Sequence, residues 1–200
     1  MTLNVAIYLY PGVEVLDFAG PFEVFTTASR MQARRIPDAA PPFAVFTVAR
    51  SKAPVRARAG LVVLPEHDFA DAPRIDLLLI PGGVVDTELA DPALAAWIAQ
   101  TAKQARITAS VCTGSFLLAG AGLLAGRRAT THWEDLADLR QRFPAVEVVE
   151  QQRWVDEGPI VSSAGIAAGI DMSLHLCARL TSLELARITA RQMDVPYPGD

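Results

Sequence analysis

Residues 107–118 read ITASVCTGSFLL, and this stretch predicts a strand that runs directly into a helix at Cys112. Residues 107–111 favour a strand, and the apolar run 113–124 favours a helix. The small residues Ser110 and Gly114 flank the cysteine at two residues' distance, as in the sharp turn that carries a nucleophile in many α/β enzymes. A helix N-terminus stabilises a thiolate, so we expect Cys112 to be reactive and to have a lowered pKa. The alternative is an ordinary buried core thiol.

Strands and helices alternate along the rest of the chain. Strands are predicted at residues 3–9, 43–48, 76–80, 107–111, 128–131, 146–149, 153–155 and 159–162, and helices at residues 16–29, 92–104, 113–124, 133–143, 166–180 and 182–193. The strands at 153–155 and 159–162 are expected to form a hairpin. Repeated βα units predict an α/β fold, with one domain over residues 1–200 and a mostly parallel sheet covered by helices on both faces. Such sheets place ligand sites beyond the carboxyl ends of their strands.

Asp17 lies near the start of the first predicted helix, close to the sheet edge where Cys112 is expected. An acid in the first turn of a helix is commonly explained by the helix dipole or by capping. Burial beside Leu16 and Phe18 would instead raise its pKa toward values useful in acid–base chemistry. Glu14 and Glu23 are rivals, so spacing alone leaves three candidate carboxylates.

Gly82 and Gly83 follow the apolar strand predicted at residues 76–80. Paired glycines at such a place allow backbone amides to point at a bound group, which is how an oxyanion hole is usually built. A tight turn that merely requires glycine explains the pair equally well.

Among the three histidines, His132 follows the strand predicted at 128–131 and is the one expected near the active edge. His67 is expected on a surface loop, and His175 is expected to be a hydrogen-bonded helix residue. No pair of histidines has metal-ligand spacing, so we expect no metal site. The second cysteine, Cys177, lies in an apolar helical segment and is expected in the core.

Composition excludes several classes of protein. The chain has 200 residues, 51% of them hydrophobic, which is ample for the core of one domain. A formal net charge of −4 gives no reason to expect nucleic-acid binding. We see neither an apolar segment long enough to cross a bilayer nor a signal-like N-terminus, so we expect a cytoplasmic protein with reduced cysteines.

These motifs resemble those of the ThiJ/PfpI superfamily, which has a flavodoxin-like, class I glutamine amidotransferase-like fold. Within it, the chain is most similar to the isonitrile hydratase group and to the sensor domains of AraC-type regulators. The resemblance covers nearly the whole chain. It is carried by Leu16-Asp17 with Gly20-Pro21, Ile80-Pro81-Gly82-Gly83, Ser110-Val111-Cys112-Thr113-Gly114-Ser115, Ala121-Gly122-Leu123-Leu124, Ala129-Thr130-Thr131-His132-Trp133 and Ala164-Gly165-Ile166-Ala167-Ala168-Gly169-Ile170-Asp171.

The resemblance implies a nucleophile at Cys112 and a supporting acid at Asp17. It also implies that Thr113 lines the site and that amides near Gly83 and Thr113 bind developing negative charge. Members with protease- or amidase-type activity usually carry Cys-His-Gly at this turn, whereas this chain has Cys112-Thr113-Gly114. A homodimer with the site near the subunit boundary is the expected assembly.

The expected function is therefore that of a lyase-type hydratase, which converts an isonitrile to an N-substituted formamide without a metal or organic cofactor. The main alternative is the ligand-sensing domain of an AraC-type regulator. The chain stops soon after its last predicted helix, and its net charge is negative, so we expect no nucleic-acid contact by this chain alone. The expected partner is a small-molecule substrate, and no membrane contact is expected. A redox-sensing thiol and a glyoxalase- or deglycase-like enzyme are the remaining alternatives.

Overall fold

The computed structural model of the protein describes residues 1–198. Within these residues the strands are β1 (Leu3–Tyr8), β2 (Phe43–Ala49), β3 (Val55–Arg56), β4 (Val62–Val63), β5 (His67–Asp68), β6 (Leu77–Ile80), β7 (Ile107–Val111), β8 (Arg128–Ala129), β9 (Glu147–Val148), β10 (Trp154–Asp156) and β11 (Ile160–Ser163). The α-helices are α1 (Val15–Arg35), α2 (Asp86–Leu89), α3 (Pro92–Ala102), α4 (Gly114–Gly120), α5 (Leu136–Arg142), α6 (Ala168–Leu180) and α7 (Leu183–Gln192). None of them combines the length and apolar character that crossing a membrane requires.

A seven-stranded sheet forms the centre of the fold, in the order β10-β11-β7-β6-β1-β2-β5. Its strands pair in parallel except β10, which forms the predicted antiparallel hairpin with β11. Residues of β6 and β7 are buried throughout, as expected of strands covered on both faces. The predicted α/β fold with a mostly parallel sheet is confirmed.

Two groups of helices cover the sheet. Helices α1, α6 and α7 pack against one another, and so do α2, α3 and α4. From β1 the chain moves across the sheet in one direction to β2, whereas from β6 it moves in the opposite direction to β7. Right-handed crossovers therefore place α1 and α3 on opposite faces.

This reversal of direction falls between β1 and β6, which makes the neighbouring carboxyl ends the expected place for a ligand. An isolated bridge between Val13 and Gly83 ties the segments that follow these two strands. The end of β7, where Cys112 lies, is next to the end of β6. Three separate parts of the sequence therefore meet at one sheet edge.

Some predictions of local structure differ from what the structure shows. Helix α1 continues to Arg35, because Arg30 bonds back to Thr27 and the helix ends only before Pro37. Helix α4 ends at Gly120 rather than at 124, since Gly122 has a φ of +77° that a helix does not allow. His67 lies on the edge strand β5 with its ring against Phe46, so the surface-loop prediction is wrong; the two polar residues of β5 give no strand signal.

Candidate functional site

Cys112 lies on the sharp turn between β7 and α4. Its φ of +55° is in the left-handed region, which is rare for residues other than glycine. The backbone N–H of Cys112 donates to the carbonyl of Ser163 (3.1 Å), and its own carbonyl accepts from the hydroxyls of Thr131 (2.9 Å) and Ser115 (3.1 Å). These three hydrogen bonds hold the cysteine in its strained conformation.

Gly114 shows why a small residue follows the cysteine at this distance. A Cβ at position 114 would lie 2.1 Å from the carbonyl oxygen of Ile80, which is backbone of the neighbouring strand β6. The residue on the other side, Ser110, is fully buried. The small residue after Cys112 thus reflects a close approach of the backbone of β6, and the small residue before it lies in the core.

Asp17 is fully buried in the first turn of α1. Its Oδ2 accepts a hydrogen bond of 3.0 Å from the backbone N–H of Gly82, whereas its Oδ1 has no hydrogen-bond partner within residues 1–198. Burial raises the pKa of Asp17 to about 7, and the Gly82 amide and the neighbouring Cys112 thiol only partly oppose this. The carboxyl group can therefore both accept and donate a proton near neutral pH.

The two other candidate carboxylates, Glu14 and Glu23, have interaction partners of their own. Glu14 caps α1 by accepting from the N–H of Val15 and is paired with Arg58 at 3.4 Å. Glu23 accepts a hydrogen bond from the hydroxyl of Thr27 within α1. Of the three candidates, Asp17 is the one whose charge raises the pKa of Cys112.

The thiol of Cys112 is not acidified. Burial and the nearby carboxylate of Asp17 raise its pKa to about 12, and the backbone amide of Thr113 offsets only part of this increase. The predicted lowering of the pKa is therefore wrong. Helix α4 is only seven residues long, and Cys112 is 7% exposed, so desolvation of the thiolate outweighs the helix-terminus effect.

The backbone amides of Gly82 and Gly83 donate hydrogen bonds to two other site residues. The N–H of Gly82 donates to Asp17, and the N–H of Gly83 donates to Oγ1 of Thr113 (2.9 Å), whose hydroxyl donates in turn to the Gly83 carbonyl (3.0 Å). A Cβ at Gly82 would lie 2.7 Å from the Thr113 amide nitrogen, so only glycine fits. The sequence suggests that these amides bind a developing anion. To do so, each amide must first break its present hydrogen bond.

A cleft of about 590 Å³ opens above the thiol. Four of the predicted site residues line it, namely Gly83, Cys112, Thr113 and His132, together with Phe116 and Ile166. A larger groove of about 830 Å³ is lined by residues that include Trp154 and Ile170, and it contains none of the predicted site residues. Chemistry at Cys112 therefore belongs to the smaller cleft.

Gly165, which the sequence analysis did not single out as a site residue, forms a wall beside the sulfur. A Cβ at position 165 would lie 2.8 Å from Sγ of Cys112 and 2.6 Å from Cδ2 of His132. His132 thus lines the space next to the sulfur, while its Nδ1 lies 3.5 Å from Oδ2 of Asp135. The available signal was a glycine just after a strand that neighbours the nucleophile's strand.

The remaining predictions concern residues away from the cleft. Cys177 is fully buried in α6, as predicted, and His175 bonds Asp156 at 2.7 Å. Within residues 1–198, no group of three or more His, Cys, Asp or Glu side chains is arranged to hold a metal ion.

Known proteins are similar to this chain in both sequence and fold. It is 35% identical to the isonitrile hydratase of Pseudomonas putida over 200 residues, which cover 99% of this chain and 81% of that protein. It is 31% identical to the HTH-type transcriptional regulator CdhR of Pseudomonas aeruginosa over 178 residues, covering 89% of this chain. The chain spans about half (51%) of the length of that regulator.

Solved structures agree with this relationship. A THiJ/PfpI family protein from Pseudomonas syringae superposes with a TM-score of 0.83 at 31% identity, over 100% of this chain and 78% of that one. An AraC family transcriptional regulator from Pseudomonas putida has a TM-score of 0.82 at 22% identity, over 96% and 99% of the two chains, which establishes a shared fold. Residues 3–179 match the sequence pattern of the DJ-1/PfpI family. The chain therefore belongs to the DJ-1/PfpI family.

Proposed function

We propose that the protein is a cysteine-dependent hydratase that adds water to an isonitrile and releases an N-substituted formamide. The observation that carries this proposal is that the thiol of Cys112 and the buried carboxyl of Asp17 each shift the pKa of the other. Addition of a thiol to an isonitrile forms the S–C bond and the C–H bond at the same terminal carbon. A nucleophile and a proton donor must therefore lie side by side, as these two groups do. The 35% identity to an isonitrile hydratase supports the same reaction.

In the first step Cys112 supplies the sulfur, and Asp17 transfers the thiol proton. With its pKa near 7, Asp17 is available as a carboxylate to take the proton from Sγ while the sulfur attacks the terminal carbon of R–N≡C. The protonated carboxyl then delivers this proton to the same carbon. The product is a thioimidate, R–N=CH–S–Cys112, and Asp17 is a carboxylate again.

In the second step water completes the reaction. Its oxygen bonds to the thioimidate carbon, and its proton passes through Asp17 to the nitrogen, giving R–NH–CH(OH)–S–Cys112. The C–S bond then breaks, the hydroxyl proton returns through Asp17 to the sulfur, and R–NH–CHO leaves. Water and isonitrile are consumed in equal amounts, and both side chains regain their starting protonation.

The shape around the sulfur favours a slender electrophile. Gly165 closes one side of Sγ so tightly that no side chain would fit there, and Cys112 is almost fully buried. A linear R–N≡C group presents one unsubstituted carbon and can reach the sulfur end-on. A branched carbonyl would need more space at the reacting carbon.

The test is formamide formation from an alkyl isonitrile, followed by NMR with the purified protein. We expect turnover by the wild type and by Cys177→Ala, which removes the buried thiol of α6. We expect none by Cys112→Ala, with its folding checked by circular dichroism. Turnover by the Cys112→Ala variant would refute the proposal.

A ligand-sensing function is the second candidate, because the chain is also 31% identical to a transcriptional regulator over most of its own length. A sensor needs the cleft but not the proton transfer. Failure of every isonitrile to turn over, with a small ligand raising the Tm of the wild type and of Cys112→Ala equally, would favour this second function.

A further inference from the structure

The cleft above Cys112 is lined by more carboxylates than guanidinium groups. Two of the carboxylates are neutralised at its rim. Oε2 of Glu14 lies 3.4 Å from the Arg58 guanidinium, and Oδ1 of Asp86 lies 3.5 Å from that of Arg142. The two arginines are thereby matched one to one with acids.

Three further carboxylates line one side of the cleft and form what we call the acidic wall: Glu134, Asp135 and Asp138. In the described part of the chain, none of the three is paired with a lysine or arginine. His132 is the basic group beside two of them, with its Nδ1 3.7 Å from Glu134 and 3.5 Å from Asp135. One imidazole carries at most one positive charge, so the wall keeps a net negative charge whether or not His132 is protonated.

The acidic wall acts on the reacting groups. Burial raises the pKa of Asp135; the neighbouring His132 opposes this increase, and the like charges of Asp138 and Glu134 add to it. The carboxylate of Asp135 also contributes to the raised pKa of the Cys112 thiol. The negative charge of the wall therefore extends to the sulfur.

The acidic wall lines the same cleft as Cys112, the proposed nucleophile. Cys112 is coupled to the fully buried carboxyl of Asp17, whose Oδ1 has no hydrogen-bond partner in residues 1–198. An unpartnered buried carboxylate oxygen is costly unless a bound group or water uses it.

We propose that the acidic wall selects substrates with a positively charged substituent, such as an ammonium or amidinium group, and disfavours those with a carboxylate. This rests on the proposed function, in which Cys112 attacks the head of the substrate. The cleft volume of about 590 Å³ exceeds what the head alone needs, so the substituent extends along Glu134, Asp135 and Asp138. A cationic substituent there relieves the mutual repulsion of the three carboxylates.

The first test compares kcat/KM for three isonitriles of matched size that carry a dimethylammonium group, an isopropyl group or a carboxylate. For the wild type we expect the cation to be favoured over the anion by at least about tenfold at low salt, and the preference to shrink at high salt. Asp135→Asn and Asp138→Asn should each lower the cation-to-neutral ratio about threefold. The control Asp38→Asn, on an exposed loop after α1, removes the same charge and should leave the ratio unchanged.

The second test does not depend on turnover. Cationic, neutral and anionic methanethiosulfonates each form a disulfide with Sγ of Cys112 and release a sulfinate, and the rates are measured on the Cys112 peptide by mass spectrometry. We expect the cationic reagent to react fastest and Asp135→Asn to reduce its advantage. Equal rates for the three reagents would overturn the proposed selectivity. Charge-dependent labelling without any formamide would instead refute only the hydratase function.

Discussion

The carboxylate of Asp17 is, after burial, the largest cause of the raised pKa of the Cys112 thiol. The two side chains come from parts of the chain that follow different strands, β1 and β7, and meet at one sheet edge. Because both are buried, the state with two negative charges is disfavoured, and the pair titrates as a unit. A proton therefore stays with the pair at neutral pH and is available to move between sulfur and carboxylate.

The raised pKa of Asp17 makes stability depend on pH. The unfolded chain releases this proton near the ordinary value of 3.8, whereas the folded chain holds it until about pH 7, so stability is lost as pH rises between these values. Relative to the wild type, Asp17→Asn should gain up to about 4 kcal/mol in free energy of unfolding between pH 4 and pH 8. Urea denaturation at the two pH values measures this. An unchanged difference would mean that the carboxyl titrates normally.

The pH dependence of the alkylation rate of Cys112 should report the titration of Asp17. In the wild type we expect the rate with iodoacetamide to increase about tenfold per pH unit up to about pH 7 and then to level off, since the carboxylate form of Asp17 acts as the base. In Asp17→Asn the inflection near pH 7 should vanish. Peptide mass spectrometry separates Cys112 from Cys177. Persistence of the inflection in the variant would assign it to another group.

Gly165 limits access to the sulfur. Gly165→Ala places a methyl group 2.8 Å from Sγ, so Cys112 must shift or lose access, and alkylation and turnover should each fall by at least about tenfold. The matched control Ala167→Ser enlarges an exposed residue two positions further on and should leave both rates unchanged. Full activity in Gly165→Ala would show that the approach to the sulfur lies elsewhere.

Thr113 links the glycine turn to the nucleophile. Thr113→Val removes both hydrogen bonds to the backbone of Gly83, so we expect a loss of about 1–2 kcal/mol in free energy of unfolding and a lower kcat. Thr113→Ser keeps the hydroxyl and should restore both. Full stability of Thr113→Val together with reduced stability of Thr113→Ser in urea denaturation would show that the methyl group, not the hydroxyl, matters.

The sequence predicted the sheet edge correctly because strand ends carry local signals. Apolar residues 77–80 stop at Pro81, and residues 107–111 stop at Cys112, so the sequence itself marks both turns. The order of the strands brings those ends together, and parallel βα units make that order predictable in outline.

Properties that depend on distant partners were not predictable. The direction of the pKa shift of Cys112 is set by its burial and by Asp17, and neither is encoded near position 112. The amides of Gly82 and Gly83 are occupied by groups 65 and 30 residues away along the chain. Gly165 becomes a site residue only because β11 pairs with β7, which places it beside the sulfur.

Intact-protein mass spectrometry after rapid mixing with an alkyl isonitrile tests the central claim most directly, namely that Cys112 carries the substrate as a thioimidate. We expect an adduct of the mass of the isonitrile, mapped to Cys112, to form and then to decay at the rate at which formamide appears. The adduct should be absent in Cys112→Ala. Formamide released at a steady rate with no adduct on Cys112, or with the adduct on another residue, would contradict covalent catalysis by this cysteine.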